Sequence, residues 1–179
     1  STTMLSTSKN PEMATNAASF GAEDGCVFWN KRPNLKKAVE TNIAFPIDKK
    51  LYPGVLYNPG EMEQKWAIYF DGIHLYFIRS WHREVFVVAE TKQENNQLII
   101  QNIQGTFLEE DDDKDITEAI LTFLLVSHAL NEIAPAPLPI NFQESPYEAG
   151  LWSFSAFGNM AHIGTFDSKY RAQPSKPLR

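Results

Sequence analysis

Four runs of alternating apolar and polar residues in the middle of the chain predict a β-meander. The first run leads into Asp71-Gly72, a pair typical of two-residue hairpin turns, because such turns need positive φ angles. A second turn is predicted at His82-Arg83, and a polar loop precedes the fourth run. Because the connections are short and sequential, we expect antiparallel pairing throughout. The runs lie at 66–70, 73–81, 84–90 and 97–104.

A long apolar stretch after these runs predicts a buried helix. Asp115 and Glu118 have the spacing of a capping box ahead of AILTFLLVSHALNEI. The acidic residues 111–113 suit the positive end of the helix dipole. Apolar positions cover almost the whole helix surface, as expected of a helix packed on a sheet. The predicted fold is therefore α+β, an antiparallel β-meander of at least four strands with one long buried helix on one face.

The segments that flank this core carry weaker signals. Asn34 stands before a helical spacing of apolar residues, which predicts a short helix over 34–39. Residues 45–60 are punctuated by Pro and Gly and are predicted to form a structured loop. An aromatic segment around 151–157 is strand-like and should pack onto the domain.

Residue composition predicts the domain limits. Residues 1–25 are rich in Ser, Thr, Asn and Ala, which is typical of a tail. A single α+β domain is expected over 26–170, because the 179 residues suit one domain of ordinary size. Residues 171–179 are predicted to be a C-terminal tail.

The predicted turns also assign side chains to faces of the sheet. With two-residue turns, Phe70 opposes Ile73 and Arg79 opposes Phe86. Arg79 then lies in a row that is otherwise apolar or aromatic. The predicted covered face contains Trp66, Ile68, Phe70, Ile73, Leu75, Phe77, Arg79, Trp81, Phe86 and Val88.

A charged Arg79 in this row needs a partner, because burying an unpaired charge costs several kcal/mol. One alternative is an ion pair with Glu84 at the rim of the core, with Trp81 stacked on the guanidinium. The other is that Arg79 lines a pocket and binds a carboxylate or phosphate. Structural ion pairs are the more common of the two, which favours the first alternative.

A short motif around Arg79 resembles a known group of proteins. The segment LYFIRSW at 75–81, preceded by Asp71-Gly72, is similar to the hairpin motif of small bacterial proteins of uncharacterised function. In that group a Thr-Gly pair follows the Trp, whereas His82-Arg83 stands here. The resemblance covers about residues 65–90 and implies no activity.

The same turn holds the candidate site residues. Arg79, Trp81, Arg83 and Glu84 are the candidate ligand- and anion-binding residues, and His82 is the candidate catalytic acid or base. No metal or cofactor is predicted, because the histidines lack a metalloprotease spacing and the acidic run EEDDD lacks that of an EF-hand.

Charge and hydropathy narrow the classes of partner. The net charge of −6 and the pI of about 5.2 argue against nucleic acid as a partner. The sequence lacks the run of about 18 apolar residues that a membrane span needs, so no membrane partner is predicted. A single cysteine and the lack of a signal-peptide pattern predict a cytoplasmic protein.

Two functions fit these observations. The first is a non-enzymatic binding or interaction module that forms a homo-oligomer, because no catalytic signature is present and 12% of residues are aromatic. The alternative is a small hydrolase or transferase acting on a phosphate- or carboxylate-bearing metabolite. In it, Arg79 and Arg83 hold the small anionic ligand and His82 transfers a proton.

Overall fold

The computed structural model describes residues 10–108, 112–138, 146–160 and 172–179. Within these ranges, a six-stranded antiparallel sheet and three α-helices confirm the predicted α+β class and the antiparallel meander. The sheet order is β1-β6-β5-β4-β3-β2, so the first two strands form its edges. The strands are β1 (Ala38–Pro46), β2 (Gly54–Tyr57), β3 (Trp66–Phe70), β4 (His74–Arg79), β5 (Glu84–Glu94) and β6 (Gln97–Gly105); the helices are α1 (Pro11–Ala18), α2 (Lys114–Leu124) and α3 (Pro146–Phe157).

The sheet buries side chains on both faces. Its inner face packs against α2 and α3. On the outer face, a smaller cluster joins β3, β4 and β5 to aromatic residues of the N-terminal segment. The inner core includes Trp66, Ile68, Phe70, Leu75, Phe77, Val87, Ala89, Ile120, Phe123 and Phe157; the outer cluster contains Phe20, Phe28, Ala67, Tyr69, Tyr76, Ile78 and Val88.

The first hairpin turn is longer than the two residues predicted. Phe70 pairs with Leu75 instead of Ile73. The carboxylate of Asp71 accepts hydrogen bonds from the backbone N–H groups of Ile73 (2.9 Å) and His74 (2.6 Å), which holds four residues in the loop. Because the register moves by two residues, each paired side chain keeps its predicted face. The assignment of Ile73 to the covered face was wrong, because Ile73 lies in the loop and is 57% exposed.

The second turn is also longer, and a bulge follows it. Arg79 pairs with Glu84 instead of Phe86. Further along, the register of β4 and β5 shifts by one residue, as in a β-bulge. The extra residue places Val87 in the inner core and Val88 in the outer cluster. The assignment of Val88 to the inner face was therefore wrong.

Two segments predicted to be helix and loop are the edge strands. Residues 34–39 are not a helix, since β1 begins at Ala38, and β2 lies within the predicted loop at 45–60. Exposed and half-buried side chains alternate along β1, which fits a strand rather than a helix. Its pairing joins Ala38 to Gln104, so the stabilising contacts are far apart in sequence.

The predicted long helix begins slightly earlier than its capping pattern indicated. The side chain of Asp113, rather than Asp115, accepts a hydrogen bond from Ile116 N (2.8 Å) and caps α2. The chain then continues into a π-helical turn, Leu125–Ala129. The strand-like segment around 151–157 belongs to α3, which covers the inner face instead of joining the sheet.

Both predicted tails contain ordered contacts. Phe20 is fully buried in the outer cluster, and Asn16 Nδ2 donates to Trp81 O at 2.9 Å. At the other terminus, Leu178 is buried and its N–H donates to Pro46 O at 2.9 Å. The described parts of 1–25 and 171–179 are therefore not free tails, because single aromatic and aliphatic anchors dock them despite their polar composition.

Candidate functional site

The predicted site residues surround the turn between β4 and β5. Arg79 ends β4 and Glu84 begins β5 directly opposite it. Glu84 and His82 are exposed, whereas Trp81 and Arg83 are half-buried. The turn is closed by a hydrogen bond from Arg83 N to Arg79 O (2.8 Å).

Arg79 contacts the C-terminal end of α3. Its guanidinium donates to Ser155 O (2.6 Å) and Ala156 O (2.7 Å), and it lies 5.2 Å from the Trp66 ring. Trp66 Nε1 donates to the same Ala156 carbonyl at 2.8 Å. The last carbonyls of a helix lack partners within the helix and carry partial negative charge, so a cation is favourable there. Arg79 thus caps a helix that lies far away in sequence.

Trp81 stacks on a lysine that the sequence did not single out. Lys65 Nζ lies 3.5 Å from the centroid of the Trp81 ring and 5.7 Å from that of Phe154. Lys65 is only 4% exposed. Burial and the nearby Arg79 lower the pKa of Lys65 to about 8. Trp81 also donates through Nε1 to Met62 O at 2.8 Å, which fixes the orientation of its ring.

Arg83 contacts the N-terminal segment. Its guanidinium lies 2.5 Å from Glu23 Oε2 and donates to Ser19 Oγ at 2.6 Å. It also lies over the rings of Phe20 (4.8 Å) and Phe28 (5.2 Å). Arg83 therefore joins the β4–β5 turn to the segment that covers the outer face.

The two arginines consequently contact opposite faces of the sheet. Arg79 lies against the inner core at Trp66, and Arg83 against the outer cluster at Phe20. His82, between them in sequence, has its ring 5.8 Å from that of Phe86. Each arginine has partners within the chain, and these partners belong to different elements.

A polar cluster that the sequence reasoning missed lies at the other end of β4. The Asp71 carboxylate accepts from Tyr76 OH (2.7 Å) and lies 3.2 Å from His74 Nδ1. Burial alone would raise the pKa of Asp71, but hydrogen bonds from His74, Tyr76 and Ile73 lower it below its ordinary value. The signal available in the sequence was Asp71 followed by His74 and Tyr76, all close to one turn.

His128 is a buried, hydrogen-bonded core residue, as its position in the apolar helix predicts. Nδ1 lies 2.7 Å from Ser127 Oγ, and the ring packs edge-on against Tyr57 at 4.8 Å. Nε2 is buried and has no hydrogen-bond partner in the described part of the chain. Burial lowers the pKa of His128 to about 3, so the imidazole is neutral.

Edge strand β1 presents an open backbone edge. Seven of its nine residues pair with β6 on one side, and Thr41 and Asn42 lie at a bulge between the paired stretches. On the other side, only Pro46 O at the end of the strand accepts a backbone hydrogen bond among the described residues, from Leu178 N. Among the described residues, no backbone group outside the sheet bonds to residues 38–45. The exposed side chains of residues 38–45 are those of Ala38, Glu40, Asn42 and Ala44. A long edge of this kind is a template for pairing with another strand.

Comparisons with protein-family models, curated proteins and solved structures found no match for the chain. No helix among the described residues is long and apolar enough to cross a membrane. The same residues contain no cluster of three or more His, Cys, Asp or Glu side chains placed to hold a metal ion.

Proposed function

We propose that this protein is an interaction module that self-associates by antiparallel pairing of β1 with β1 of a second copy. The observation that carries the proposal is the open edge of β1. Pairing would join two six-stranded sheets across a two-fold axis, and such symmetric interfaces are the commonest in soluble homo-oligomers. The backbone supplies the hydrogen bonds, and the side chains set the register.

The sequence around β1 is self-complementary in one register. With Asn42 opposite Asn42 of the second copy, Glu40 lies opposite Ala44, so the like charges of the two glutamates do not meet. The same register places Lys36 opposite Asp48, two residues beyond the two ends of β1. The C-terminal residues lie at that end of the edge, because Leu178 N donates to Pro46 O and Arg179 lies 3.8 Å from Asp48, so they have to move aside for this pair to form. Two opposite-charge pairs then form, one at each end of the interface, and they favour this register over its neighbours.

The polar N-terminal segment gives no support for self-association. That segment is already held against the sheet of its own copy by Phe20, Phe28 and the Arg83–Glu23 ion pair. Support for self-association therefore rests on β1 instead. The alternative of an enzyme with an anion site at Arg79, His82 and Arg83 has less support, because the two arginines bind separate elements.

Charge reversal at the two ends of β1 tests the proposal. Analytical ultracentrifugation of the full chain should show a monomer–dimer equilibrium that weakens as salt is added, because exposed charges are screened. Lys36→Glu should weaken the dimer about tenfold, since it replaces two attractive pairs by two repulsive ones. The double variant Lys36→Glu with Asp48→Lys should restore the affinity, because the pairs are re-formed with their signs exchanged.

Two outcomes would overturn the proposal. A chain that remains monomeric up to about 100 μM has no functional self-association through this edge. A dimer that is unaffected by Lys36→Glu, or one that the exchanged pair does not rescue, uses another surface. Both positions are exposed, so circular dichroism should show that the variants fold like the parent chain.

A further inference from the structure

A row of polar residues crosses the outer face of the sheet beyond the N-terminal cover. His74 pairs with Glu90, Glu90 with Asn102, and Asn102 with Glu40, on strands β4, β5, β6 and β1. Residues directly opposite each other in antiparallel strands point to the same face. The outer cluster reaches only β3, β4 and β5, so the part of this row on β6 and β1 lies beyond it.

Two register irregularities lie side by side in this row. The pairing of β1 with β6 shifts between Glu40 and Ile43, and that of β5 with β6 shifts between Glu90 and Thr91. Both shifts fall at Gln101 of β6. Bulges bend a strand and increase its twist, and they often occur beside binding sites. Two of them at one position curve this end of the sheet.

A cavity of about 510 Å³ lies over the curved region. Its volume is within the range of roughly 300–1,000 Å³ that is typical of small-molecule sites. The pocket is open to solvent and its lining is largely polar. It is lined by Glu40, Thr41, Asn42, Glu90, Lys92, Ile99, Gln101, Asn102 and Gln104.

The chemistry of this lining favours a ligand rich in hydroxyl groups. Its amide side chains each combine N–H donors with a carbonyl acceptor, which is the pairing that a hydroxyl group can satisfy in both directions. Asn102 Oδ1 is buried and has no hydrogen-bond partner in the part of the chain that the structure describes. Because that oxygen is buried, the Asn102 amide has to rotate toward the cavity before a ligand hydroxyl group can donate to it and satisfy the acceptor. Glu40 and Glu90 outnumber Lys92, which disfavours an anion.

We propose that this cavity binds a neutral polyhydroxylated molecule of mono- or disaccharide size. The amides and Thr41 contact its hydroxyl groups, and the carboxylates of Glu40 and Glu90 accept from others. His74, at the β4 end of the row, has a fixed ring orientation, because Asp71 Oδ2 lies 3.2 Å from its Nδ1. The binding is weak, in the millimolar range, since the site is shallow and has no aromatic ring in its lining.

Titration of the ¹⁵N-labelled full chain with maltose, cellobiose and myo-inositol tests this site by NMR. At least one of them should give saturable shifts of backbone amides on β5 and β6 near Glu90 and Asn102, with a Kd of about 1–10 mM. Asn102→Leu should weaken that binding at least tenfold. Gln97→Ala, on the same strand but outside the lining, should leave it unchanged. Glucose 6-phosphate should bind more weakly than the neutral sugars, because Glu40 and Glu90 repel it.

Several results would overturn the assignment. One is that none of the three probes gives saturable shifts up to about 50 mM. The others are shifts confined to other strands, and an Asn102→Leu variant that binds as tightly as the parent chain. Preference for glucose 6-phosphate would show that the ligand class is wrong. Glu40, Thr41 and Asn42 line the cavity and also lie on the edge that self-association would pair, but each copy carries all of the lining residues. Lys36→Glu, which lies outside the lining, should therefore bind the sugar as the parent does. Loss of the dimer with retained binding, or the reverse, separates the two proposals.

Discussion

At the scale of single residues, Arg79 shows how the carbonyls at the end of a helix hold a charge that lies in an apolar row. The guanidinium donates to two carbonyls at the end of α3, at 2.6 and 2.7 Å. Hydrogen bonds to a charged group contribute about 1.5–3 kcal/mol each where they are well formed. Glu84 faces Arg79 across the strands but is exposed to solvent, where charge pairs contribute little.

This difference predicts unequal effects of two substitutions. Arg79→Ala should lower the free energy of unfolding by about 2 kcal/mol, because two hydrogen bonds from a charged donor are lost, although Trp66 still donates to the Ala156 carbonyl. Glu84→Gln should change it by less than about 0.5 kcal/mol. Urea unfolding measures both. Equal losses from the two variants would instead indicate that Glu84 is the partner that matters.

At the scale of elements, α3 is docked by close backbone contact as well as by Arg79. Asn159 N donates to Glu63 O at 2.9 Å just after the helix ends. Gly158, the residue before Asn159, has a φ of +70°, a conformation that favours glycine. A Cβ built at Gly158 would lie 1.7 Å from Glu63 O, so the helix and the loop before β3 approach more closely than any other residue allows.

Gly158→Ala should therefore loosen α3. We expect a loss of about 2 kcal/mol or more in unfolding free energy and earlier proteolytic cleavage near the helix. Gly21→Ala is the matched control, because a Cβ there meets nothing within 4 Å and the backbone is not left-handed. If Gly158→Ala is as stable as Gly21→Ala, the close approach of the two segments is not a constraint in solution.

At the scale of the whole molecule, His128 makes the fold sensitive to acid. The folded-state pKa of about 3 lies below the unfolded value of about 6.5, so the unfolded chain binds a proton that the folded chain excludes. The neutral imidazole makes its full contribution to the free energy of unfolding above pH 6.5, and this contribution is lost as the pH falls toward 3. Asp71, whose folded pKa is also lowered, loses its contribution only below about pH 4.

Between pH 6.5 and 4.5, His128 should account for a loss of about 2 kcal/mol in unfolding free energy. His128→Phe keeps an aromatic ring against Tyr57 and Phe123 but cannot titrate. Its stability should therefore fall less over this interval, and urea unfolding at several pH values measures the difference. Parallel curves for the parent and the variant would show that His128 does not control this acid response.

The sequence by itself determined the central meander, the buried helix and the faces of most strand residues. These features follow from local patterns. Alternation of apolar and polar residues indicates a strand buried on one face, and Asp71-Gly72 indicates a turn. The prediction failed for turn length, because Asp71 binds two backbone groups that no periodicity reveals. It also failed at the bulge in β5, which moves Val88 to the outer cluster.

Only the tertiary structure decided what the unusual residues do. The contacts of Arg79 with α3 and of Arg83 with Glu23 join positions about 60 to 77 residues apart, so no local pattern could indicate them. The polar row through Glu90 and Asn102 has the same origin, because it exists only when four strands are aligned. Local spacing specifies elements and their buried faces, whereas the chemistry of a site depends on long-range contacts that folding brings together.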